Sequence, residues 1–459
     1  MNIDPEILHH HQELSPISER FLSFLEKHPE YLKKATFIPD QVHLDAGAAQ
    51  KVLQPWPLFV GGPVLAELKR ATVGIPNLIK SLIPRFFGRN IEKIEAFYGF
   101  GTPVTRKLLE TPQHSIDSAI SRCDLILHSE GLSCIEVNFS TMLGGWQGRL
   151  RQAMYLQLPL ISAFLREEKV QATCSDPIQA FLEHVVADTL RQGIPKTKVL
   201  NTAFVQDQNT GPAVSHYLNQ VYQAILNGHS LKGNFFWTTY SSLRRRHKQV
   251  IVNGKRLHAL IEFVLAKRPG VVYDALAHHT ISMYNTPLYI YLMDKKNLAL
   301  LSENQDNPIF TKQEQALIRD FVPWTRVLQP GSVVFKDETV ELVPWTLQNR
   351  DQLVLKKGIS YKGEHVLLGS QFTETQWEEK VAQALDEKGW IVQVCKHSKP
   401  YLFWDQTQEK LAGHDVVWGT FSIGNTFHGG FVRTAVKNPG KASVINVAQG
   451  AAESMIFEV

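Results

Sequence analysis

The chain has 459 residues, a formal charge of +4, 44% apolar residues and 20% charged residues. That is an ordinary globular composition, able to bury a large core and long enough for roughly three domains of ~150 residues. With no long Lys/Arg block and no apolar run near ~18 residues, neither a nucleic-acid partner nor a membrane span is expected.

The N-terminus, MNIDPEILHHHQELSP, lacks the basic-then-apolar layout of a signal peptide, and a cytoplasmic protein is expected. His9, His10 and His11 read as a frayed polar terminus rather than a metal site. Residues 5–34 read as helical, with Ile17, Phe21, Phe24 and Leu25 on one stripe. Between 53 and 105, Pro55, Pro57, Pro76, Pro84 and Pro103 punctuate what read as short elements joined by loops. Cys123, Cys134, Cys174 and Cys395 are scattered without a CxxC pair. Reduced, mostly buried thiols follow from that spacing.

The stretch Asp124 to Asn138, DLILHSEGLSCIEVN, alternates apolar and polar residues around Ser129-Glu130-Gly131. This is a hairpin pattern. Period two puts Glu136 and Asn138 on one face of the second strand. A three-residue loop centred on Gly131 sets Asp124 across from Asn138 on that face. A two-residue turn shifts the register by one and sends Asp124 to the other face. In the first case two carboxylates and an amide oxygen converge, a hard-oxygen set suited to Mg²⁺ holding phosphates. The plain alternative is a solvated strand face.

Farther on, Ile178 to Gln192 is amphipathic, Lys198 to Val205 and Phe235 to Thr239 read as strands, and Asn253-Gly254 reads as a hairpin turn. Strands alternating with helices suggest an open α/β unit. The basic run Arg244 to Lys248 reads as a solvated segment or an anion contact. His278 and His279 read as adjacent strand residues on opposite faces, not metal ligands. DKKNLALL carries Lys295 and Lys296 into a helix. Thr311 with Glu314, and Thr375 with Glu378, read as capping boxes.

In the last third, Gln352 to Lys357 is a strand ending in lysine, followed by the loop Gly358-Ile-Ser-Tyr-Lys-Gly363 and a returning strand. Lys356 beside a glycine-bearing loop suits a di- or triphosphate, although no GxxxxGK[ST] is present. Such lysine hairpins also occur as plain structure. Arg433, in the alternating strand FVRTAV, suits bidentate phosphate contact or a structural ion pair.

Taken together, RxDLIL…GLSCIEVN, LVLKKGISYKGEHVLLG, IVQ, GGFVRT and INVAQGAA resemble the circularly permuted ATP-grasp ligases, the group with glutathionylspermidine-synthetase-like enzymes. The similarity covers roughly 115–150 and 285–459. Reading from Leu353 to Val459 and then from Ser121 restores the usual ATP-grasp order. The resemblance implies an α+β fold: a permuted ATP-grasp with an additional open α/β substrate domain. It divides the chain into 1–150, ending in the magnesium hairpin; 151–285, the substrate domain; 286–400, the nucleotide lid; and 401–459, the returning catalytic strands.

It also implies ATP and Mg²⁺ as cofactors, with Asp124, Glu136 and Asn138 as metal ligands. Lys356, Gly358, Ser360, Tyr361, Lys362, Gly363, Gln393 and Lys295 would form the nucleotide site, Gln393 on the strand leading to the adenine hinge. Arg433 would be the catalytic cation. The expected reaction joins a small-molecule or peptide carboxylate to an amine through an acyl phosphate, releasing ADP and phosphate. Tyr361 and Lys362 stand where the family loop is small, and no acidic residue directly follows Gln393. These departures motivate a second reading, a non-catalytic nucleotide-binding regulatory or scaffold protein; a third is a kinase-like phosphotransferase that stops at the phosphorylated product.

Overall fold

The computed structural model describes residues 3–35, 38–39, 52–110, 116–206, 212–264, 267–285, 289–360, 364–437, 445 and 450–459. The organising element is a large sheet in the order 38–39, 52–53, 452–458, 426–436, 410–423, 121–128, 131–138. The 14-residue strand Lys410–Ile423 is its spine. Along one edge it pairs antiparallel with Thr426–Val436. Along the other its first part pairs with Tyr401–Asp405 and its last part with Ser121–His128. An early hairpin and the strands 401–405, 410–423, 426–436 and 452–458 therefore share one sheet.

Helix Gly62–Leu82 lies across this sheet with Pro76 inside it. The short, proline-broken elements expected here are thus replaced by one 21-residue helix. Proline has no N–H for the carbonyl four residues back. That carbonyl, of Thr72, accepts from Cys123 Sγ at 3.8 Å, and Thr72 Oγ1 meets Thr420 Oγ1 at 2.6 Å. The sheet thus partly replaces the lost helical bond.

The N-terminal histidines are not frayed. Helix Pro5–Leu14 ends at Ser15, which caps a second helix, Pro16–Lys27. His10 and His11 are buried. His10 Nδ1 faces the Pro400 carbonyl at 3.1 Å. The Leu402 N–H donates to His11 Nε2 at 3.0 Å, so the neutral ring carries its proton on Nδ1, 2.8 Å from Ser18 Oγ.

A second sheet is fully parallel, in the order 282–284, 259–262, 202–205, 235–238. Helices Pro177–Arg191 and Pro212–Gly228 belong to the same part of the chain. Asn253 and Gly254 both have positive φ, at 48° and 74°, and close the turn between Gln249–Val252 and Lys255–Arg256. Arg244–Arg246 forms an exposed edge strand of that small sheet. His278 caps the C-terminus of helix Gly270–Ala277 rather than lying in a strand.

A third sheet, antiparallel, runs 325–327, 390–394, 353–357, 366–368. Helix Glu374–Glu387 packs Trp377, Val381 and Ala384 against Leu353, Leu355, Trp390 and Val392 on one face. Its N-cap is Thr373, in a capping box with Gln376. The expected Thr375–Glu378 box is therefore out by two residues, because the helix begins earlier. The Thr311–Glu314 box is present as read. The four cysteines are free thiols, Cys123 and Cys134 buried. Among the described residues, no helix is long and apolar enough to cross a membrane.

Candidate functional site

The hairpin strands are Ser121–His128 and Gly131–Asn138. His128 pairs with Gly131, so the turn has two residues, Ser129 and Glu130. With that turn alone, Asp124 would face away from Glu136. The register shifts between Asp124 and Leu125: Leu125 pairs with Cys134, Asp124 with Glu136 and Arg122 with Asn138. Ile135 is the unpaired residue of a β-bulge. The bulge restores the common face, so Asp124, Glu136 and Asn138 do converge, but by a two-residue turn plus a bulge rather than by a three-residue loop.

Asp124 is nonetheless occupied. Arg122 grips it through Nε–Oδ1 at 3.0 Å and Nη2–Oδ2 at 3.2 Å. Arg433, on strand Thr426–Val436 beyond the spine strand Lys410–Ile423, reaches across it to lie 2.8 Å from Oδ2. Asn138 Nδ2 approaches the same oxygen at 3.5 Å. Burial works against the charge on Asp124, yet Arg122 and then Arg433 outweigh it and hold the carboxyl below its usual range. Arg122 also lies over the Phe431 ring, 5.5 Å from its centroid. That ring fits against Gly145, where a Cβ would come within 2.2 Å of it.

Glu136 is partly exposed, and its Oε1 is 3.2 Å from Lys295 Nζ. Lys295 precedes helix Lys296–Glu303 and also reaches Ser360 Oγ at 3.3 Å. Lys296 turns away to the carbonyls of Phe97 and Tyr98, at 2.5 and 3.1 Å. It satisfies the end of helix Ile91–Tyr98.

Lys356 comes from the third sheet. Its Nζ donates to the Ile135 carbonyl at 3.0 Å and to Gln393 Oε1 at 2.7 Å. The bulge that turns Glu136 into the site therefore also presents a carbonyl to the lysine. Burial pushes Lys356 down to about 8, opposed by the Glu136 charge and reinforced by Lys295.

Several expected nucleotide contacts are arranged differently. The Gly358 N–H donates to the Gly389 carbonyl at 2.8 Å, so it is not free to cradle a phosphate. Its lack of a side chain serves packing: a Cβ there would sit 2.6 Å from Asp294 Oδ1. Gln393 is fully buried and turned to Lys356 rather than toward a hinge. Ser360 meets Lys295. Tyr361, Lys362 and Gly363, like Asn446 and Gln449 of the INVAQGAA segment, lie outside the described residues.

One pair next to the site was not read from the sequence. Arg151 and Glu453 are fully buried and meet at 2.5 Å, and Glu453 pairs across the sheet with Arg433. Arg151 is visible at the start of a helix, but its partner lies 302 positions away.

The site thus holds Arg122, Arg433, Lys295 and Lys356 against Asp124 and Glu136. Four cations against two carboxylates leave an excess suited to a polyanion. The donor set fits Mg²⁺ only in part. Among the described residues no group of three or more His, Cys, Asp or Glu could hold a metal. Asp124 is taken by two guanidinium groups, which leaves Glu136 and Asn138. One carboxylate and one amide oxygen suffice for Mg²⁺ when phosphates complete its shell.

No family model matches the chain, and no curated protein matches it. Solved structures do. A glutathione synthetase like-effector (GSS30) from Globodera pallida, in apo form, is similar over 100% of this chain and 98% of its own, with TM-score 0.54 and 11% identity. A "Putative gamma-glutamylcysteine synthetase" from Methylobacillus flagellatus KT covers 84% of this chain and 88% of its own, with TM-score 0.42 and 10% identity. The first likeness is one of fold: a mixed α/β architecture of several sheets shared along the whole chain.

Proposed function

We propose that the protein is an ATP-dependent carboxylate–amine ligase of permuted ATP-grasp type. The observation that carries this reading is the convergence of Lys356, Lys295 and Arg433, from separate segments of the chain, on the hairpin of Glu136, which itself carries Arg122. The fold shared with a protein named for glutathione synthetase supports it. So does the segment order, with the metal hairpin early and the lysine and arginine strands late.

In this reading Lys356 and Lys295 bind the phosphates of ATP, and Arg433 faces the group being transferred. Glu136 and Asn138 would hold Mg²⁺, which when bound neutralises charge on the phosphates. A substrate carboxylate oxygen bonds to the γ-phosphorus while the bond to the β–γ bridging oxygen breaks, so ADP leaves. The amine nitrogen then bonds to the acyl carbon, phosphate departs with the C–O electron pair, and the amine gives up a proton. The protein's share is positioning and charge stabilisation, not nucleophilic attack.

The test is ADP release from Mg·ATP, screened against amino acids, γ-glutamyl peptides and polyamines as acid–amine pairs. Release that depends on the amine and is lost in Glu136→Ala, with the fold retained, is expected. Unchanged turnover in that variant refutes the assignment. A second reading, nucleotide binding without turnover, draws on the removal of Asp124 from the donor set. ATP binding with no product from any pair would favour it.

A further inference from the structure

Lys356 is an unusual cation. It is buried, yet among the described residues its Nζ touches no carboxylate: its two hydrogen bonds there go to the Ile135 carbonyl at 3.0 Å and the Gln393 amide oxygen at 2.7 Å. Both acceptors are neutral. Glu136, the nearby carboxylate, is paired instead with Lys295.

The amide is itself held. Gln393 Nε2 donates to Thr325 Oγ1 at 3.0 Å, and Thr325 Oγ1 donates to the Pro323 carbonyl at 2.7 Å. The hydroxyl proton is committed to that carbonyl, so it offers Gln393 only a lone pair. The amide must therefore point its NH₂ at Thr325 and its oxygen at the lysine. Thr325 and Gln393 are fully buried. In register, Val354 pairs with Gln393 and Lys356 with Ile391, which makes Lys356 and Gln393 diagonal neighbours on one face.

We propose that Gln393 is a positioning residue for Lys356, a neutral bracket that aims the ammonium without neutralising it and so reserves its charge for a nucleotide phosphate. This rests on the nucleotide site of the proposed ligase and gives Gln393 a place at the phosphate end of that site. A glutamine does here what a glutamate would undo. A carboxylate at 393 would pair with the lysine and compete with the phosphate, whereas an apolar residue would leave the ammonium held by the Ile135 carbonyl alone.

The experiment measures binding of Mg·ATP, ADP and adenosine to the full chain by calorimetry. The variants are Gln393→Met, Gln393→Glu, Lys356→Met, Thr325→Val and the Gln393→Met/Lys356→Met double, with urea midpoints as the check on folding. Gln393→Met is expected to weaken ATP about tenfold and leave adenosine within about twofold. Gln393→Glu should weaken ATP at least as much, and Thr325→Val less, again sparing adenosine. In the double variant the glutamine change should add nothing to the lysine change, because its effect runs through the lysine.

Equal losses for ATP and adenosine would overturn the proposal in favour of an adenine contact. Additive losses in the double variant, or ATP affinity untouched by Gln393→Met, would overturn it too. Any of these in a wild type that binds ATP leaves the ligase reading standing. A wild type that binds no nucleotide defeats both.

Discussion

Replacing Asp124 by asparagine separates a structural keystone from a metal ligand. The carboxylate is buried, with Arg122 at 3.0 and 3.2 Å and Arg433 at 2.8 Å. Asparagine keeps the shape and one accepting oxygen but takes from two guanidinium groups the carboxylate they both contact. Each Coulomb contact at this range is worth about 4 kcal/mol at an effective dielectric near 20, offset by desolvation. Removing one partner of a buried ion pair destabilises by about 3–5 kcal/mol. Scaled by the unfolding entropy of a chain this long, that is a fall in melting temperature of about 3–5 °C without any metal. The assay is paired: a thermal melt of the apo protein, and the Mg²⁺ concentration giving half-maximal ADP release. Asp124→Asn should lower the melt and leave the Mg²⁺ requirement within about twofold, whereas Glu136→Gln should raise the requirement about tenfold with little change in the melt. An Asp124→Asn protein as stable as wild type but needing tenfold more Mg²⁺ would return Asp124 to the metal and refute the pairing argument.

The remaining predictions concern the frame around the site. Burial, and then His10, pushes His11 down to about 3, below the ~6.5 of an unfolded histidine. The unfolded chain therefore binds the extra proton, and His11 contributes stability above pH ~6.5 that drains as pH falls toward 3, at up to about 1.4 kcal/mol per pH unit. Urea midpoints across that window should flatten in His11→Gln, and an unchanged slope would contradict the buried neutral ring. Thr373→Ala should cost about 1 kcal/mol and Thr375→Ala less than about 0.5, the reverse pattern placing the cap where the sequence suggested. Gly145→Ala, at φ 93° with a Cβ 2.2 Å from the Phe431 ring, should displace Phe431 from Arg122. A crystal structure of that variant with the ring unmoved would disprove the wedge.

What the sequence made legible was whatever a single segment carries. The hairpin alternation, the lysine strand, the arginine strand and the Asn253-Gly254 turn are all local patterns, and each is found where it was read. What it hid depends on partners. Pro76 looked like a break because the sulfur that approaches the Thr72 carbonyl belongs to Cys123, on another element. His10 and His11 looked solvated because their acceptor and donor, the Pro400 carbonyl and the Leu402 N–H, lie nearly four hundred residues on. Gln393 read only as part of the strand leading to the adenine hinge, because the register between two strands is what sets it beside Lys356. Asp124 was legible as a site residue, but that Arg122 and Arg433 both contact it depends on three strands of the folded sheet.

The bulge at Ile135 has a consequence for counting. Eleven residues, Leu125 to Ile135, separate Asp124 from the Glu136 it faces. In a regular hairpin with a two-residue turn, the number between facing residues is even. An odd spacing between an aspartate and a glutamate that must look the same way is therefore, by itself, the mark of an irregular hairpin. Either the tip is odd or one residue has stepped out of the ladder. Here the residue that steps out also lends its carbonyl to Lys356. Lengthening the tip by one while deleting Ile135 would keep the count and the facing of both acids, and would still take from the lysine one of its two acceptors, leaving Gln393.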